Sequence, residues 1–363
     1  MGNRTSRQDR NGKTTVNAGH SLNYRTSDFV DERGSVSAPT SMSATGGTEY
    51  IPGNGYRYHK FTTATPSPES KLIVAGSGVI DLLVVAGGGG GGSYYGGGGG
   101  GGGLAYANNL PVSNQTYPVS VGAGSVAVSP TSPTAFVGND GSNSYFGTPG
   151  QPIGGQPNYI LAKGGGGGGK GTTTGGRTGG SGGGSGGGDV DPDGNPTGTA
   201  PGQATQPGTN PSPFVTDYGN AGGYSTPTGG YAPAGGGGAG AAGVNVAGDI
   251  PGASNGGAGQ PFPDFAYPLI GEPALNPYSP SNSHYAGGGG AGKYGALVAP
   301  DRLGIGGAGG GGGGSGSPDD KPPGSEAGPG IDKLGGGGGG RHPGPAGPQF
   351  TGGDGIVIVR YLN

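Results

Sequence analysis

Apolar and polar positions alternate through Tyr56-Arg57-Tyr58-His59-Lys60-Phe61, the two-residue period of a strand that buries one face. Two β-branched runs follow, Leu72-Ile73-Val74 and Ile80-Asp81-Leu82-Leu83-Val84-Val85. With Gly76-Ser77-Gly78 between them they read as a hairpin. Further strands are predicted at 117–121, 135–137 and 143–146. The sequence closes on Gly355-Ile356-Val357-Ile358-Val359-Arg360-Tyr361-Leu362, apolar at successive positions and so suited to burial on both faces. A strong strand on either side of the middle predicts that the two pair and close a domain over 56–363. Residues 1–55 are polar and aperiodic, an arm rather than a core. Helical periodicity occurs nowhere.

Between the strands lie eight glycine runs, at 87–92, 96–103, 164–169, 182–188 (interrupted by Ser185), 235–238, 287–290, 309–314 and 335–340. A flexible linker needs one such stretch, not eight. Collagen needs glycine at every third position with side chains at the other two, a phase the pure runs do not follow. A third arrangement fits better. An extended helix of three residues per turn has no internal hydrogen bonds, so each N–H and C=O must find a partner outside it. With hydrogen atoms for side chains, neighbouring helices approach closely enough to bond one another directly. Six residues rising about 3.1 Å each span about 19 Å, a sensible slab height.

Composition supports this. Glycine supplies 100 of 363 residues and proline 34, while apolar residues make up 29%, against roughly 45–50% in ordinary globular domains. The apolar core is small, and backbone hydrogen bonds must hold the glycine part. The expected fold is mainly β with little or no α-helix: a β-strand frame around a bundle of polyglycine II helices joined by long loops. Valine at Gly99 or Gly166 should break such a bundle, and valine at Gly208, in a loop, should not.

The junction Ile80-Asp81-Leu82-Leu83-Val84-Val85-Ala86-Gly87-Gly88-Gly89-Gly90, the segment Tyr117-Pro118-Val119-Ser120-Val121-Gly122-Ala123-Gly124, and the closing Gly352-Gly353-Asp354-Gly355-Ile356-Val357-Ile358-Val359-Arg360-Tyr361 resemble the glycine-rich domain of bacteriophage tail-fibre, adhesin and other virion appendage proteins. The resemblance covers about residues 56–363, with motifs at its two ends and composition alone between them. It implies a polyglycine II core framed by strands, with loops between the helices that touch the host receptor. It also implies assembly in the host cytoplasm into the phage particle. Residues 1–55 lie outside the resemblance and are the segment expected to dock onto other virion proteins. A homotrimer is the assembly that fibres favour.

Charge and chemistry narrow the classes. The net charge is −3 with 11% charged residues, which leaves no nucleic-acid footprint. No cysteine is present, so disulfides, thiolate chemistry and cysteine zinc sites are excluded. No stretch approaches the apolar length of a membrane span, and residues 1–15 lack the apolar core of an export signal. Met1-Gly2 with Ser6 fits a myristoylation pattern formally, without other support. Gly164–Gly169 with Lys170 mimics a phosphate loop, but Gly171 stands where a hydroxyl must bind magnesium. Asp189, Asp191, Asp193 and Asn195 with Gly194 match the front half of a calcium loop. Ala200 occupies the place of its bidentate glutamate, and a solvated acidic turn is the favoured reading. His20, His59, His284 and His342 have no ligand spacing, Asp319-Asp320 sits in a turn composition, and no active site assembles. No cofactor beyond that weak calcium match is expected, and no enzyme.

Tyrosine stands out, with 18 Tyr and no Trp. Tyr94, Tyr95, Tyr224, Tyr231, Tyr278, Tyr285 and Tyr294 lie near run boundaries, and Tyr among Ser, Gly and Asn is the composition of antibody binding loops. These are candidate contacts for a host-surface glycan or protein. The competing reading is that the rings lid the ends of glycine helices. The functional expectation is a structural and adhesive virion part, and the alternative a capsid or neck decoration that only attaches.

Overall fold

In the computed structural model, residues 7–8, 14–15, 42–62, 70–127, 136–148, 159–171, 174–187, 189–190, 196–197, 200–226, 232–247, 254–273, 282–292, 304–315, 328–341 and 349–363 are described. Two antiparallel sheets form the frame. Their strands are β1 (Ser43–Thr45), β2 (Thr48–Tyr50), β3 (Tyr56–Phe61), β4 (Lys71–Ala75), β5 (Gly78–Val85), β6 (Leu104–Val112), β7 (Gln115–Ser120), β8 (Ser144–Phe146), β9 (Ile160–Ala162), β10 (Val215–Tyr218) and β11 (Ile356–Leu362). One sheet has the order β9-β8-β7-β4-β1 and the other β10-β6-β5-β11-β3-β2. The last strand pairs with the first strong one as expected: β11 lies between β3, from Leu362 opposite Tyr56 to Val357 opposite Phe61, and β5, from Arg360 opposite Asp81 to Ile356 opposite Val85.

The expected hairpin of β4 and β5 does not form. Gly76, at φ 84°, carries the chain from one sheet to the other, and the two strands stack face to face. Leu72 and Val74 then share a core with Ile80, Leu82, Val84, Val357 and Val359. Edge pairing would have left one apolar face without cover, whereas stacking buries both. Phe136 and Val137 are not a strand either; they enter the glycine assembly.

β11 is apolar on both faces because it lies between two cores. Its other face, Ile356 and Ile358, packs with Tyr58, Leu83, Phe262, Phe265, Tyr267, Ile270 and Leu334. The cover is residues 262–271, two 3-10 turns, each with proline in its first turn, ended by Gly271 at φ 68°. Ion pairs pin it down. Arg360 donates to Asp81 at 2.9 Å and to Asp264 at 2.8 Å while lying over the rings of Tyr56 and Phe265. Glu272 is held by Lys60 at 2.6 Å and Lys333 at 3.0 Å. No helix among the described residues is long and apolar enough to cross a membrane.

Three of the glycine runs continue strands of the frame. β5 runs on through Ala86 into 87–92, run 96–103 leads back into β6, β9 leads into 164–169, and 352–355 leads into β11. Ala86 N–H bonds Gly103 C=O at 3.1 Å, prolonging the β5–β6 ladder. Beyond that point the bonds change direction residue by residue. In run 96–103, the amides of 97, 100 and 103 donate to 169, 166 and 163. Those of 98 and 101 donate to 234 and 237, and those of 96, 99 and 102 to 341, 338 and 335. The carbonyls of 97, 100 and 103 accept from 92, 89 and 86, those of 98 and 101 from 184 and 181, and those of 96 and 99 from 292 and 289. Partners therefore recur with period three, and the run is enclosed by six others. A period of three is that of an extended three-residue-per-turn helix.

The close approach forbids side chains. A Cβ on Gly99 would stand 2.2 Å from the Gly89 carbonyl oxygen, and one on Gly166 2.0 Å from that of Arg177. Peripheral runs escape half of this constraint. In Gly138-Asn139-Asp140-Gly141, Gly176-Arg177-Thr178-Gly179 and Gly219-Asn220-Ala221-Gly222, glycine recurs every third residue. A Cβ there would come within 1.9 to 2.2 Å of the next run, while the intervening residues are half-buried or exposed. The collagen-like phase thus marks the outer rows, and the pure runs the interior. Where no backbone carbonyl takes an amide, short polar side chains do: Asn143 Oδ1 accepts from Gly164 and Asp140 Oδ1 from Gly167, both at 2.9 Å, and Asp354 Oδ1 from Gly124 at 2.8 Å.

A Cβ added at Gly208 would meet nothing within 4 Å, but the residue sits at φ +77°, so a β-branched side chain there is strained without striking a neighbouring run. Chemical denaturation should show Gly99→Ala costing about 3 kcal/mol or more by overpacking and Gly208→Ala only about 1–2 kcal/mol from backbone strain; equal costs would contradict the close-packed assembly. Asn143→Ala, which orphans the Gly164 amide, should cost about 1–3 kcal/mol, with Asn143→Asp largely retaining stability.

Candidate functional site

The sheets occupy one end of the glycine assembly, and Tyr94 and Tyr95 lie at the other. Run 87–92 turns back into 96–103 through Ser93-Tyr94-Tyr95, and the turn forces both tyrosines to left-handed backbone, φ 55° and 60°. For non-glycine residues this costs about 1–2 kcal/mol each. Their rings meet edge to face with centroids 4.9 Å apart. Tyr95 is buried, and Tyr94 stays 42% exposed.

Neighbouring runs brace the turn. Ser93 N–H bonds Phe136 C=O at 3.1 Å, and Ser93 Oγ accepts from the Phe136 amide at 2.8 Å. Gly171 donates to Ser93 C=O and Gly187 to Tyr95 C=O. A Cβ on Gly171 would overlap the Tyr94 carbonyl oxygen. On another side Arg341 N–H bonds Gly92 C=O at 2.8 Å, its guanidinium lies 5.4 Å from the Phe350 ring centroid, and burial lowers its pKa. Gln349 Nε2 donates to Gly91 C=O at 2.9 Å. The result is an exposed ring on a rigid mount, chemically suited to contact and stacking. Among the described residues no group of three His, Asp or Glu is placed to hold a metal ion.

Of the other sequence candidates, Tyr224 lies at the same level. Gly223 C=O accepts from Ser185, next to the run partner of Gly98, and Tyr224 N–H bonds Asn245 Oδ1 at 2.8 Å. The Tyr224 ring is partly exposed. Tyr285 lies instead at the sheet end, fully buried in the outer core. Its hydroxyl donates to Phe265 C=O at 2.6 Å, and burial, with Tyr267 and Glu272 nearby, holds its pKa well above the tyrosine range. It closes the base of the assembly, the role foreseen as the competing reading. Tyr231, Tyr278 and Tyr294 lie outside the described residues, as do Asp191, Asp193 and Asn195. Asp189 is described only as part of a two-residue strand, opposite Thr197.

Sequence reasoning missed Ser93, Phe136, Arg341, Gln349 and Phe350, which brace the turn. The available signal was position: Ser93 and Arg341 directly follow pure glycine runs.

A family model described as a glycine-rich domain matches residues 62–362. No curated protein matches the chain.

Tyr94→Gly relieves the left-handed strain of about 1–2 kcal/mol and removes a ring contact of about 0.5–1.5 kcal/mol. Thermal melting should therefore show a stability change within about 1 kcal/mol. A large loss would make the exposed ring a structural element.

Proposed function

We propose that this chain, which belongs to the glycine-rich domain family, works by binding rather than catalysis: it is a structural and adhesive part of a tailed-phage virion, a tail fibre or similar appendage. In this reading the sheet end attaches to other virion proteins through residues 1–55, of which 43–45 and 48–50 are paired into the sheets as β1 and β2, and the far end of the glycine assembly meets a glycan or protein on the host surface.

The observation that carries the reading is the polarity of the molecule. β11 leads away from the glycine assembly to Asn363, and Met42 lies beside Gly78 at that same remote end of the sheets. Tyr94, Tyr95 and Tyr224 lie at the opposite end of the runs. A strained, partly exposed aromatic on a rigid support is an expensive feature to maintain for packing alone, and strain of this kind gathers at binding sites. Tyrosine gives large contact area at low entropic cost. The phage assignment itself rests on the resemblance of the strand–glycine junctions.

Purified protein should compete with the phage for adsorption to host cells, and Tyr94→Gly, with its melting temperature retained, should compete at least tenfold less well. Absence of competition by the wild-type protein, together with stoichiometric occupancy of a capsid or neck position, would replace the adhesive reading by a purely structural decoration.

A further inference from the structure

We propose that His59 is a proton-operated latch that fastens β1 and the Gly46–Gly47 corner to the body and releases them on mild acidification. This does not depend on the adhesive reading. The corner joins the two sheets at one edge: β1 pairs with β4 in one sheet, and β2 pairs with β3 in the other. It has little apolar anchorage of its own. In β1 only Ala44 is buried, and Ser43 and Thr45 are exposed.

Two buried side chains supply the fastening. His59 on β3 is fully buried and stacks on Tyr361 of β11, with ring centroids 5.7 Å apart and planes 10° from parallel. His59 Nδ1 lies 2.8 Å from Gly46 C=O, and Nε2 lies 3.3 Å from the Tyr361 hydroxyl. That hydroxyl accepts the Ala44 amide at 3.1 Å. A carbonyl only accepts, so Nδ1 carries the proton of the neutral ring. Nε2 is then an acceptor, and the Tyr361 hydroxyl donates to it. Each polar group in the chain Gly46–His59–Tyr361–Ala44 is satisfied in this one protonation state.

A second proton on Nε2 reverses the middle bond. The ring becomes a donor on both sides, the Tyr361 hydroxyl proton loses its acceptor, and a cation stands in the core. The charged groups around it oppose one another. Glu49 of β2 favours the cation and Arg57 of β3 opposes it, and the two are paired with each other at 2.5 Å. β1 brings no ionisable side chain, and β11 brings only the Tyr361 hydroxyl on this face, its Arg360 lying on the other with Asp81 and Asp264. Burial accordingly lowers the His59 pKa below its ordinary 6.5, with the Gly46 bond opposing. The sign follows. The opened state takes up its proton near the ordinary value and the closed state only lower, so closure is fully stable above about 6.5 and weakens as pH falls below it.

Hydrogen exchange of the full-length protein between pH 7.5 and 5, corrected for intrinsic rates, tests the latch. The amides of 44–47 should lose at least tenfold protection while those of β5 and β11 stay protected. His59→Asn keeps a donor toward Gly46 without titrating and should remove that pH dependence. Loss that persists in His59→Asn, or protection that does not change in the wild type, would overturn the proposal. If His59→Asn fails to fold, carbon NMR titration of the wild-type imidazole decides: a pKa at or above 6.5 refutes the latch, and one below it, coincident with the exchange transition, supports it.

Discussion

The hydrogen bond between one glycine backbone and another, at the distance that only Cα atoms without a Cβ allow, is what the rest of the structure depends on. A single exchange of this kind adds little net stability, on the order of 1 kcal/mol. Within run 96–103, however, every amide is engaged, and the partners of its amides and carbonyls together belong to six surrounding runs. Removing the approach at one point leaves buried donors and acceptors on several runs without partners, which costs far more than the bond gained. Tolerance to side chains is therefore nil within run 96–103, small in the runs around it, where Ser181 and Ser185 are fully buried, and partial at the rim, and the glycine spacing of each run reports its place.

Such an assembly needs a device that sets register, since glycine runs alone could slide past one another. The sheets provide it. Leu82, Val84, Val357 and Val359 fix β5 and β11 against the opposite sheet, and the first residues of the runs inherit that alignment through the Ala86–Gly103 bond. Runs 287–290 and 335–340 are aligned by the second core, where Tyr285, Ala286 and Leu334 meet Phe262 and Phe265. Asp140, Asn143 and Asp354 then accept amides that no backbone carbonyl takes. Rigidity at the far end follows, and it allows the turn after Ser93, with Tyr94 and Tyr95 in left-handed backbone, to be held without collapse.

Much of this was legible in the sequence. The alternation at 56–61 and the doubly apolar 355–362 foretold adjacent strands, and the pure glycine runs foretold close backbone packing. The β4–β5 hairpin misled because local turn chemistry at Gly76-Ser77-Gly78 cannot distinguish a turn within a sheet from a crossing between sheets. Only the second apolar face requires the crossing. The outer rows were hidden because Gly138-Asn139-Asp140-Gly141 and its counterparts look like ordinary loop composition; their phase has meaning only beside a neighbouring run. At the candidate site the tyrosine clustering pointed to Tyr94, Tyr95 and Tyr224. It could not separate them from Tyr285, since proximity to a glycine run is the same at both ends of the assembly.

The central claim is that the glycine runs are the framework rather than tethers. Residue-resolved hydrogen exchange of the amides of 97–103, set beside those of Val357 and Ile358, tests it most directly. A framework predicts that both sets exchange only through global unfolding, with the same opening free energy. Exchange of 97–103 at rates near those of an unstructured chain, with β11 still protected, would contradict it.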